Sequence, residues 1–541
     1  MKGFEAVPEL LRRHGLDTVF GVLGSSNVQW IGAGVRAGTL RLVKTRHEET
    51  AVSAASAFSR VTGRIGVCSA TRGPGFANSI NPLISSVHYH APLLMIVGES
   101  PASRDRTSQN IDQKTLTETI GAGFHHVADG SELASALASA LTSIRWNGCP
   151  QVLSIGDGVL EAEIILGPQA EADVEPTRPG ASAASVAAAV DALKGSVRPL
   201  ILAGQGALLA DCRDDLETLA ALIGARVGST INVNRFFSGH PHDVGLVGQS
   251  APALSKRVQR ETDVVLSVGA SLNSFTLAEG KLFGSATIIQ CEVDPSVARK
   301  ASSDQLFLAG DCKATITAII EEWRKRDLGS RPVSGATPTF EDLARATLAA
   351  EIGTDPARGL DLRVVYDTVS KKLPADRIVV TDAGRTRSTM AALVDTRDAR
   401  SWLDSRGYGS VGLGLGWAIG AAAAAPGRPV VLFTGDCGFM MSSHDLDAMR
   451  LNGLDLAIVI RNDEQYGAER KYLDAVGLPP DIARQTLPDV QHLAQAFGGR
   501  AAVVRNVAEL EALDFDNDGL FIVDARLDPE VDWRPALDTL G

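Results

Sequence analysis

The sequence predicts an α/β protein built from three doubly wound domains with mainly parallel sheets. At 541 residues the chain is too long for one hydrophobic core, since domains usually hold about 100 to 200 residues. Short apolar runs alternate with helical patterns along the chain, as in sheets covered by helices. Two segments rich in Ala, Ser, Gly and Pro, 168–184 and 328–338, read as linkers. We therefore expect domains at 1–167, 185–327 and 340–541.

The candidate strands are short runs rich in branched and aromatic residues. In the first domain we expect strands at 18–20, 41–44, 65–70, 93–97 and 151–155. In the second domain we expect them at 199–203, 264–268 and 288–293, and in the third at 378–381, 430–434, 456–460 and 520–524.

The composition excludes several functional classes. A hydrophobic content of 45% is too high for a mainly disordered chain, and the net charge of -12 comes from interspersed acids and bases, which favours neither nucleic acid nor an anionic membrane. The six cysteines lie far apart without a C-x-x-C pair, which argues against a zinc site or a disulfide framework. Residues 1–15 follow a helical pattern, and no apolar run reaches membrane-spanning length. We expect a soluble cytoplasmic enzyme.

Acidic loops follow two of the predicted strands in the third domain. Asp436 comes directly after the strand at 430–434, and Asn462-Asp463 follows the strand at 456–460. In a parallel sheet the carboxyl ends of such strands lie at one edge. Two carboxylates there could hold a Mg²⁺ that keeps positions for phosphate oxygens, whereas two solvated loop aspartates are the simpler alternative.

The spacing from Gly435-Asp436-Cys437 to Asn462-Asp463 resembles the cofactor motif of thiamine diphosphate enzymes, in the branch of acetolactate synthase, pyruvate decarboxylase and benzoylformate decarboxylase. The resemblance covers nearly the whole chain and implies pyrimidine-binding, central and diphosphate-binding domains in this order. It also implies that Asp436, Asp463 and the backbone carbonyl of Gln465 hold Mg²⁺. Cys437 replaces the usual Gly, Ala or Ser, and Asp463 the usual Asn; neither change removes an oxygen ligand.

Glu48 is the counterpart of this motif in the first domain. It opens a predicted helix, 48–62, directly after a strand. A Glu in the first turn of a helix is also common as a partner of the helix dipole. Arg46-His47-Glu48 resembles the family segment whose Glu hydrogen-bonds the aminopyrimidine ring, which implies that Glu48 activates the cofactor by moving a proton.

Other segments resemble the cofactor loops of the family, although each has the composition of an ordinary glycine-rich turn. Gly73-Pro74-Gly75 resembles a loop near the cofactor of the opposing subunit. Gly409-Ser410-Val411-Gly412 resembles the segment in which an apolar residue, here Val411, bends the cofactor, while the Gly409 carbonyl accepts from its amino group. The implied cofactor-binding residues are Glu48, Gly73, Pro74, Gly75, Asn78, Gly409, Ser410, Val411, Gly435, Asp436, Cys437, Gly438, Asp463, Gln465, Tyr466 and Gly467.

The residues implied on the substrate side match more than one branch of the family. Ser25 and His90 stand where benzoylformate decarboxylase has an active-site Ser and His, and sulfoacetaldehyde acetyltransferase resembles both segments. Gln113 matches the active-site Gln of acetolactate synthase and benzaldehyde lyase. Glu469 stands where pyruvate decarboxylase has its second catalytic Glu, although a helix-surface residue near Arg470 is equally expected.

The resemblance implies an enzyme that decarboxylates a 2-oxo acid and protonates the acyl anion or transfers it to a second carbonyl, as acetolactate synthase does. The alternatives are a benzoylformate decarboxylase-like enzyme, a sulfoacetaldehyde acetyltransferase-like enzyme, and a catalytically silent paralogue that binds the cofactor. A homodimer or homotetramer is implied, with the active site between two subunits, and no nucleic acid or membrane partner. No FAD is expected, because Gly204-Gln205-Gly206 is too short a match to a dinucleotide-binding motif.

Overall fold

The computed structural model describes residues 1–99, 108–167, 178–297, 305–350, 353–384, 386–516 and 518–531. In these ranges, eighteen strands form three six-stranded sheets, and every strand pair in them is parallel. The prediction of three doubly wound α/β domains is confirmed. No helix in the described ranges is long and apolar enough to cross a bilayer.

The first domain contains strands β1–β6 and helices α1–α8. Its strands are β1 Thr18–Gly21, β2 Arg41–Lys44, β3 Gly66–Ala70, β4 Leu93–Gly98, β5 Gly123–Val127 and β6 Gln151–Ile155. Its helices are α1 Gly3–Arg13, α2 Val28–Arg36, α3 Glu48–Thr62, α4 Pro74–Asn78, α5 Ile80–His88, α6 Gln113–Thr119, α7 Leu133–Asn147 and α8 Asp157–Glu161.

The second domain contains strands β7–β12 and helices α9–α14. Its strands are β7 Pro199–Ala203, β8 Arg226–Ser229, β9 Asp243–Leu246, β10 Val264–Val268, β11 Thr287–Glu292 and β12 Leu306–Ala309. Its helices are α9 Ala183–Gly195, α10 Gln205–Leu209, α11 Arg213–Ile223, α12 Ala253–Arg260, α13 Ser274–Leu277 and α14 Cys312–Lys325.

The third domain contains strands β13–β18 and helices α15–α23. Its strands are β13 Ile378–Thr381, β14 Trp402–Asp404, β15 Val430–Gly435, β16 Leu456–Asn462, β17 Arg500–Val504 and β18 Leu520–Arg526. Its helices are α15 Phe340–Ala349, α16 Leu362–Lys372, α17 Arg387–Leu393, α18 Gly414–Ala424, α19 Asp436–Ser442, α20 Asp447–Asn452, α21 Gly467–Ala475, α22 Val490–Ala496 and α23 Val507–Glu511.

All the predicted strands are present, and six further strands were missed by sequence reasoning. Five of these six lie at the edge of a sheet, namely β5, β9, β12, β14 and β17. Edge strands such as β9 and β17 keep exposed or half-buried residues, so they lack the continuous apolar run that marks a strand buried on both faces. The sixth, β8, is short and contains Arg and Gly.

The first and third domains share one strand order, whereas the central domain has another. The first sheet runs β2-β1-β3-β4-β6-β5 and the third runs β14-β13-β15-β16-β18-β17, which is the same order by position in the domain. The central sheet runs β12-β11-β10-β7-β8-β9, the order of dinucleotide-binding folds. At its switch point, after β7 and β10, an ideal Cβ on Gly204 would lie 2.2 Å from the Gly269 carbonyl oxygen. Gly204 thus allows the two loops to pack closely.

The first and third domains pack together through α3 and α18. An ideal Cβ on Gly416 would lie 2.7 Å from Ser53 Cβ, and one on Gly420 would lie 2.0 Å from the carbonyl oxygen of Ala54. Glycine is therefore required where the two helices touch. Residues of both domains, including Phe58 of α3 and Trp417 of α18, share a single hydrophobic core.

Candidate cofactor and active site

The carboxyl ends of β15 and β16 place the predicted metal ligands side by side. The two strands are parallel neighbours, and Gly435 pairs with Arg461 at the end of the ladder. Asp436 is the first residue of α19, and Asp463 follows the end of β16. The expectation that both acidic loops lie at one sheet edge is confirmed.

Asp436 has an unusual environment for a carboxylate. Its side chain is buried; Oδ1 accepts from the Cys437 N–H at 2.9 Å, while Oδ2 has no hydrogen-bond partner in the described part of the chain. Burial, followed by the nearby negative charge of Asp463, raises the pKa of Asp436 to about 7. Two neighbouring carboxyls with an unpartnered buried oxygen repel each other unless a cation or a proton lies between them.

The loop from Asp463 to Tyr466 turns sharply beside Asp436. Glu464 has φ 54, a left-handed conformation that is uncommon outside glycine. The Tyr466 N–H donates to the Ala483 carbonyl, and the Glu464 carbonyl accepts from the Gln485 N–H, both at 2.8 Å. No backbone donor in the described residues reaches the Gln465 carbonyl. This carbonyl is therefore available as a third oxygen ligand.

The side chain of Gln465 is held by Arg470 of α21. Arg470 Nη1 donates to Gln465 Oε1 at 3.1 Å and to the Pro529 carbonyl at 2.8 Å, and Nη2 pairs with Glu530 at 2.7 Å. Because Arg has only donors, this contact fixes the orientation of the amide. Gln465 Nε2 then donates to Asp463 Oδ2 at 3.2 Å, which orients that carboxylate.

The segment around Val411 lies against the start of α19. Val411 is 44% exposed, and its Cγ1 would lie 3.2 Å from an ideal Cβ on Gly438. Gly409 and Gly412 have φ 98 and 94, which glycine adopts without strain. Val411 thus presents an apolar surface beside the acidic loops.

Asp382 holds the segment 409–412 in place through hydrogen bonds. Sequence reasoning missed this residue. It is buried; Oδ2 accepts from the Gly412 N–H at 3.0 Å and from Thr434 Oγ1 at 3.1 Å, and Oδ1 accepts from Ser405 Oγ at 3.0 Å. Burial raises the pKa of Asp382, and its donors offset part of that effect. Its only sequence signal was a single acid after the buried strand β13.

Glu48 begins α3 at the carboxyl edge of the first sheet, as predicted. Glu48 is half-buried, and its Oε2 accepts from Asn78 Nδ2 at 3.0 Å. An ideal Cβ on Gly75 would lie 3.1 Å from Glu48 Oε1, so the glycine allows the carboxylate to approach the loop. Of the predicted residues Gly73, Pro74, Gly75 and Asn78, the last two therefore lie directly beside Glu48.

Two further segments reach this edge. Ser25 is exposed next to Ser26, whose Oγ lies 2.9 Å from Thr71 Oγ1 in the loop before Gly73. Gln109 covers Gly73, because an ideal Cβ there would lie 2.5 Å from the Gln109 carbonyl oxygen. Sequence reasoning missed Gln109, which lies four residues before the predicted Gln113.

Gln113 and His90 occupy other places than the loop around Glu48. Gln113 is buried, with Nε2 donating to the Gly98 carbonyl at 2.9 Å and Oε1 accepting from Ser154 Oγ at 3.1 Å, so both ends of its amide are used inside the domain. His90 precedes β4 and so lies at the amino edge of the sheet, opposite the edge that carries Glu48. Burial lowers the pKa of His90, and Asp294 of the central domain lies near it. The geometry gives neither residue a substrate contact beside Glu48.

Glu469 lies in the first turn of α21, next to a cleft of about 220 Å³. Its side chain is exposed and forms no hydrogen bond or ion pair with another described residue. Its charge nevertheless acts on Cys437 and Tyr466, both of which line the cleft. Burial and Asp436 raise the pKa of Cys437 to about 12, so this residue presents a protonated thiol. The lining residues are Asp436, Cys437, Met440, Met441, Tyr466, Gln485, Thr486 and Leu487.

The donor set at Asp436 fits a hard cation held by oxygen ligands. No group of three or more His, Cys, Asp or Glu side chains in the described ranges is arranged to hold a metal ion. A divalent ion here would need the two carboxylates, a backbone carbonyl and ligands from a bound phosphate, a set that suits Mg²⁺ better than zinc.

Comparison with known protein families gives matches in each of the three domains. The thiamine pyrophosphate enzyme N-terminal TPP binding domain matches residues 1–116, the central domain of the same family matches 186–319, and its C-terminal TPP binding domain matches 382–524. Together the matches cover most of the chain.

Individual relatives are similar over almost their whole length. An acetolactate synthase large subunit of Parasynechococcus marenigrum is 28% identical over 516 residues, covering 92% of this chain and 82% of the relative. An acetolactate synthase of Arthrospira platensis is 27% identical, covering 93% and 90%. A probable 2-ketoarginine decarboxylase of Pseudomonas aeruginosa is 28% identical, covering 95% and 90%. The chain belongs to the thiamine diphosphate-dependent enzyme superfamily, in the branch that holds the acetolactate synthases.

Proposed function

We propose that this enzyme uses thiamine diphosphate and Mg²⁺ to decarboxylate a 2-oxo acid, and that it protonates the acyl anion or transfers it to a second carbonyl. The observation that carries the proposal is the pair Asp436 and Asp463, with a buried unpartnered oxygen on Asp436. Glu48, at the corresponding edge of the first domain, supplies the acid–base group that a purely structural site would lack.

Asp436, Asp463 and the Gln465 carbonyl would hold the Mg²⁺. The cation would offset the burial and the repulsion from Asp463 that together raise the pKa of Asp436, and it would lie beside Oδ2, which lacks a donor among the described residues. Mg²⁺ keeps further positions for phosphate oxygens, so these ligands would bind metal and diphosphate together. Arg470, through Gln465, orients Asp463 for this task.

Bound thiamine diphosphate would supply a carbanion centre and an electron sink for the acyl group. Glu48 would hold and move a proton at its carboxyl oxygens, with Asn78 orienting Oε2. Val411 would support the cofactor with its exposed apolar surface, while Asp382 fixes the segment that carries it.

On the substrate side we assign Ser25, Gln109 and Glu469. Ser25 and Gln109 flank the loop 71–75 beside Glu48, and Glu469 adds, near Tyr466, a carboxylate without an ion-pair partner among the described residues. Gln113 and His90 are left outside the reacting centre, because one is engaged internally and the other lies at the opposite sheet edge.

We further propose that the active unit is at least a homodimer. Large apolar side chains are exposed around the cofactor cleft, including Val411, Met440 and Met441, with exposures of 44%, 39% and 48%. Exposed apolar groups beside a catalytic cleft are typical of a surface that another subunit covers. An active enzyme that sediments as a monomer would contradict this part of the proposal.

The test is a panel of 2-oxo acids with thiamine diphosphate and Mg²⁺, with products identified by mass spectrometry. The panel should contain pyruvate, benzoylformate and branched-chain, sulfo-substituted and basic 2-oxo acids, each with and without an acceptor aldehyde. Carbon dioxide release with formation of an aldehyde or a 2-hydroxy ketone supports the proposal. Cofactor binding without any product would support a silent paralogue instead.

A second candidate substrate class is a 2-oxo acid with a cationic side chain. The observation that favours it is Glu469, a carboxylate near the cleft without an ion-pair partner among the described residues. Glu469→Gln should then raise KM for the basic substrate while leaving KM for pyruvate within about twofold. Equal effects on both substrates would leave Glu469 as a general acid–base group.

A further inference from the structure

Asp445 is a fully buried carboxyl at the contact between the third and first domains. It ends the short helical turn 443–445 that continues directly from α19, the helix that begins at Asp436. Its Oδ1 accepts from the N–H of Arg46 at 2.6 Å. Arg46 is two residues before Glu48, so this carboxylate holds the chain directly before the helix that Glu48 begins.

The surroundings of Asp445 compensate only part of the cost of burying a charge. A buried carboxylate requires donors; Oδ1 has the Arg46 N–H just before the first turn of α3, whereas Oδ2 has no hydrogen-bond partner among the described residues. The same turn carries the positive end of the dipole of a long helix, Glu48–Thr62. Two histidines complete the surroundings: His444 Nε2 lies 3.3 Å from Asp445 Oδ2, and the His444 ring lies 5.3 Å from the ring of His47.

Other contacts at this domain boundary differ in kind. The Arg46 guanidinium pairs with Asp447, and Asn452 exchanges hydrogen bonds with the backbone of Lys44. These contacts join the two domains at part-buried or exposed positions, whereas the Asp445 carboxylate is fully buried and holds the backbone N–H of Arg46, two residues before Glu48. Asp447 therefore offers a matched control for adhesion between the domains.

We propose that Asp445 is a positioning residue for Glu48. It fixes the first turn of α3 so that the Glu48 carboxylate stays against Gly75 and Asn78. Because Asp445 ends the helical stretch that begins at Asp436, the metal loop of the third domain and the acid–base residue of the first domain are joined within one chain. The inference rests on the proposed role of Glu48.

The experiment compares Asp445→Ala, Asp445→Asn and Asp447→Asn with the wild type. We expect Asp445→Ala to lower both kcat and the rate of exchange of the C2 proton of bound thiamine diphosphate, measured by NMR, roughly tenfold to hundredfold. Asp445→Asn keeps an oxygen acceptor and should lose less. The dissociation constant of thiamine diphosphate with Mg²⁺, from calorimetry, should stay within about threefold, because the cofactor ligands are unchanged. In Asp447→Asn, the C2 proton of bound thiamine diphosphate should exchange at the wild-type rate.

Three results would overturn the proposal. The first is normal proton exchange in Asp445→Ala. The second is equal loss in the Asp445 and Asp447 variants, which would indicate only adhesion between the domains. The third is a normal rate of C2 proton exchange in Glu48→Gln. That result would overturn the proposed role of Glu48 itself, whereas the first two results would overturn only the role of Asp445. If Asp445→Ala does not fold, Asp445→Asn carries the same test, with melting temperature as the check of folding.

Discussion

The first and third domains share a strand order but carry different chemistry at the same edge. In both, a long or glycine-rich helix follows the second strand, and these two helices, α3 and α18, pack against each other. Where the third strand gives way to the next helix, one domain has Gly73-Pro74-Gly75 and the other has Gly435-Asp436-Cys437-Gly438. The shared strand order therefore determines where polar residues lie at the sheet edge. The residues that follow the third strand determine the chemical character of each edge.

The difference lies in how each carboxylate is accommodated. Glu48 is half-buried, and its carboxylate accepts a hydrogen bond from Asn78. Asp436 is buried beside Asp463, and its Oδ2 lacks a donor among the described residues, an environment that favours a bound cation or proton. In the proposed function, the edge with Glu48 serves proton transfer and the edge with Asp436 binds metal and phosphate.

The largest expected effect comes from Glu48→Gln, which removes the proton-transferring group but keeps an oxygen acceptor for Asn78. Turnover should fall by about 10² to 10⁴, the usual contribution of a positioned acid–base group. Steady-state kinetics and circular dichroism would measure activity and folding. The control is Glu49→Gln on the next residue, which should stay near wild-type activity. Near-normal turnover in Glu48→Gln would contradict the proposal that the sheet edge of the first domain supplies the proton-transferring group.

The second prediction concerns the pH dependence of the apo-protein. Because the pKa of Asp436 is raised to about 7 in the folded state, the folded chain binds more protons than the unfolded chain. This contribution to stability is present below the unfolded Asp pKa of about 4 and is lost as the pH rises toward 7, with an upper bound of about 4 kcal/mol. Melting temperatures in EDTA between pH 5 and 8 would show the decline.

Two changes should flatten that decline. Asp463→Asn removes the neighbouring charge that raises the pKa of Asp436, and Mg²⁺ with thiamine diphosphate should stabilise the wild type more at pH 8 than at pH 5. An unchanged slope in Asp463→Asn would show that the two carboxyls do not interact.

The third prediction tests the shared helix contact. Gly420→Ala places a methyl group where the Ala54 carbonyl oxygen lies 2.0 Å away, so the α3–α18 packing must open. We expect a loss of about 1 to 3 kcal/mol in stability. Gly32→Ala on α2, where nothing lies within 4 Å, is the matched control and should be neutral or slightly stabilising. Denaturant unfolding of both variants would measure the difference, and equal stabilities would argue against a tight contact.

The smallest expected effect concerns the metal loop alone. Arg470→Ala frees the Gln465 amide and should weaken Mg²⁺-dependent thiamine diphosphate binding roughly tenfold, as is common for residues that orient metal ligands. Lys471→Ala on the same helix should leave the affinity unchanged. Titration calorimetry would measure the dissociation constant of thiamine diphosphate for both variants. Equal constants would show that Arg470 does not orient the metal ligands.

Much of the fold followed from local pattern. Buried strands such as β4 and β16 are continuous apolar runs, and the start of α3 at Glu48 was predicted to the residue. Edge strands such as β9 and β17 were missed, because exposed positions interrupt the apolar run that indicates a strand. Pairing with a neighbouring strand, which the sequence does not show, makes these segments strands. The acidic loops at 436 and 463 were placed together because the carboxyl ends of parallel strands must share an edge.

The sequence by itself determined the three-domain α/β architecture, the acidic segments after β15 and β16 and the position of Glu48 at the start of α3, because each depends on residues close together in the chain. Only the tertiary structure decided which distant residues meet. It placed Gln109 on Gly73, Asp382 under Gly412 and Asp445 on the segment that carries Glu48, and it left His90 at the opposite edge. Contacts across hundreds of residues depend on domain packing, for which a single sequence carries no periodic signal.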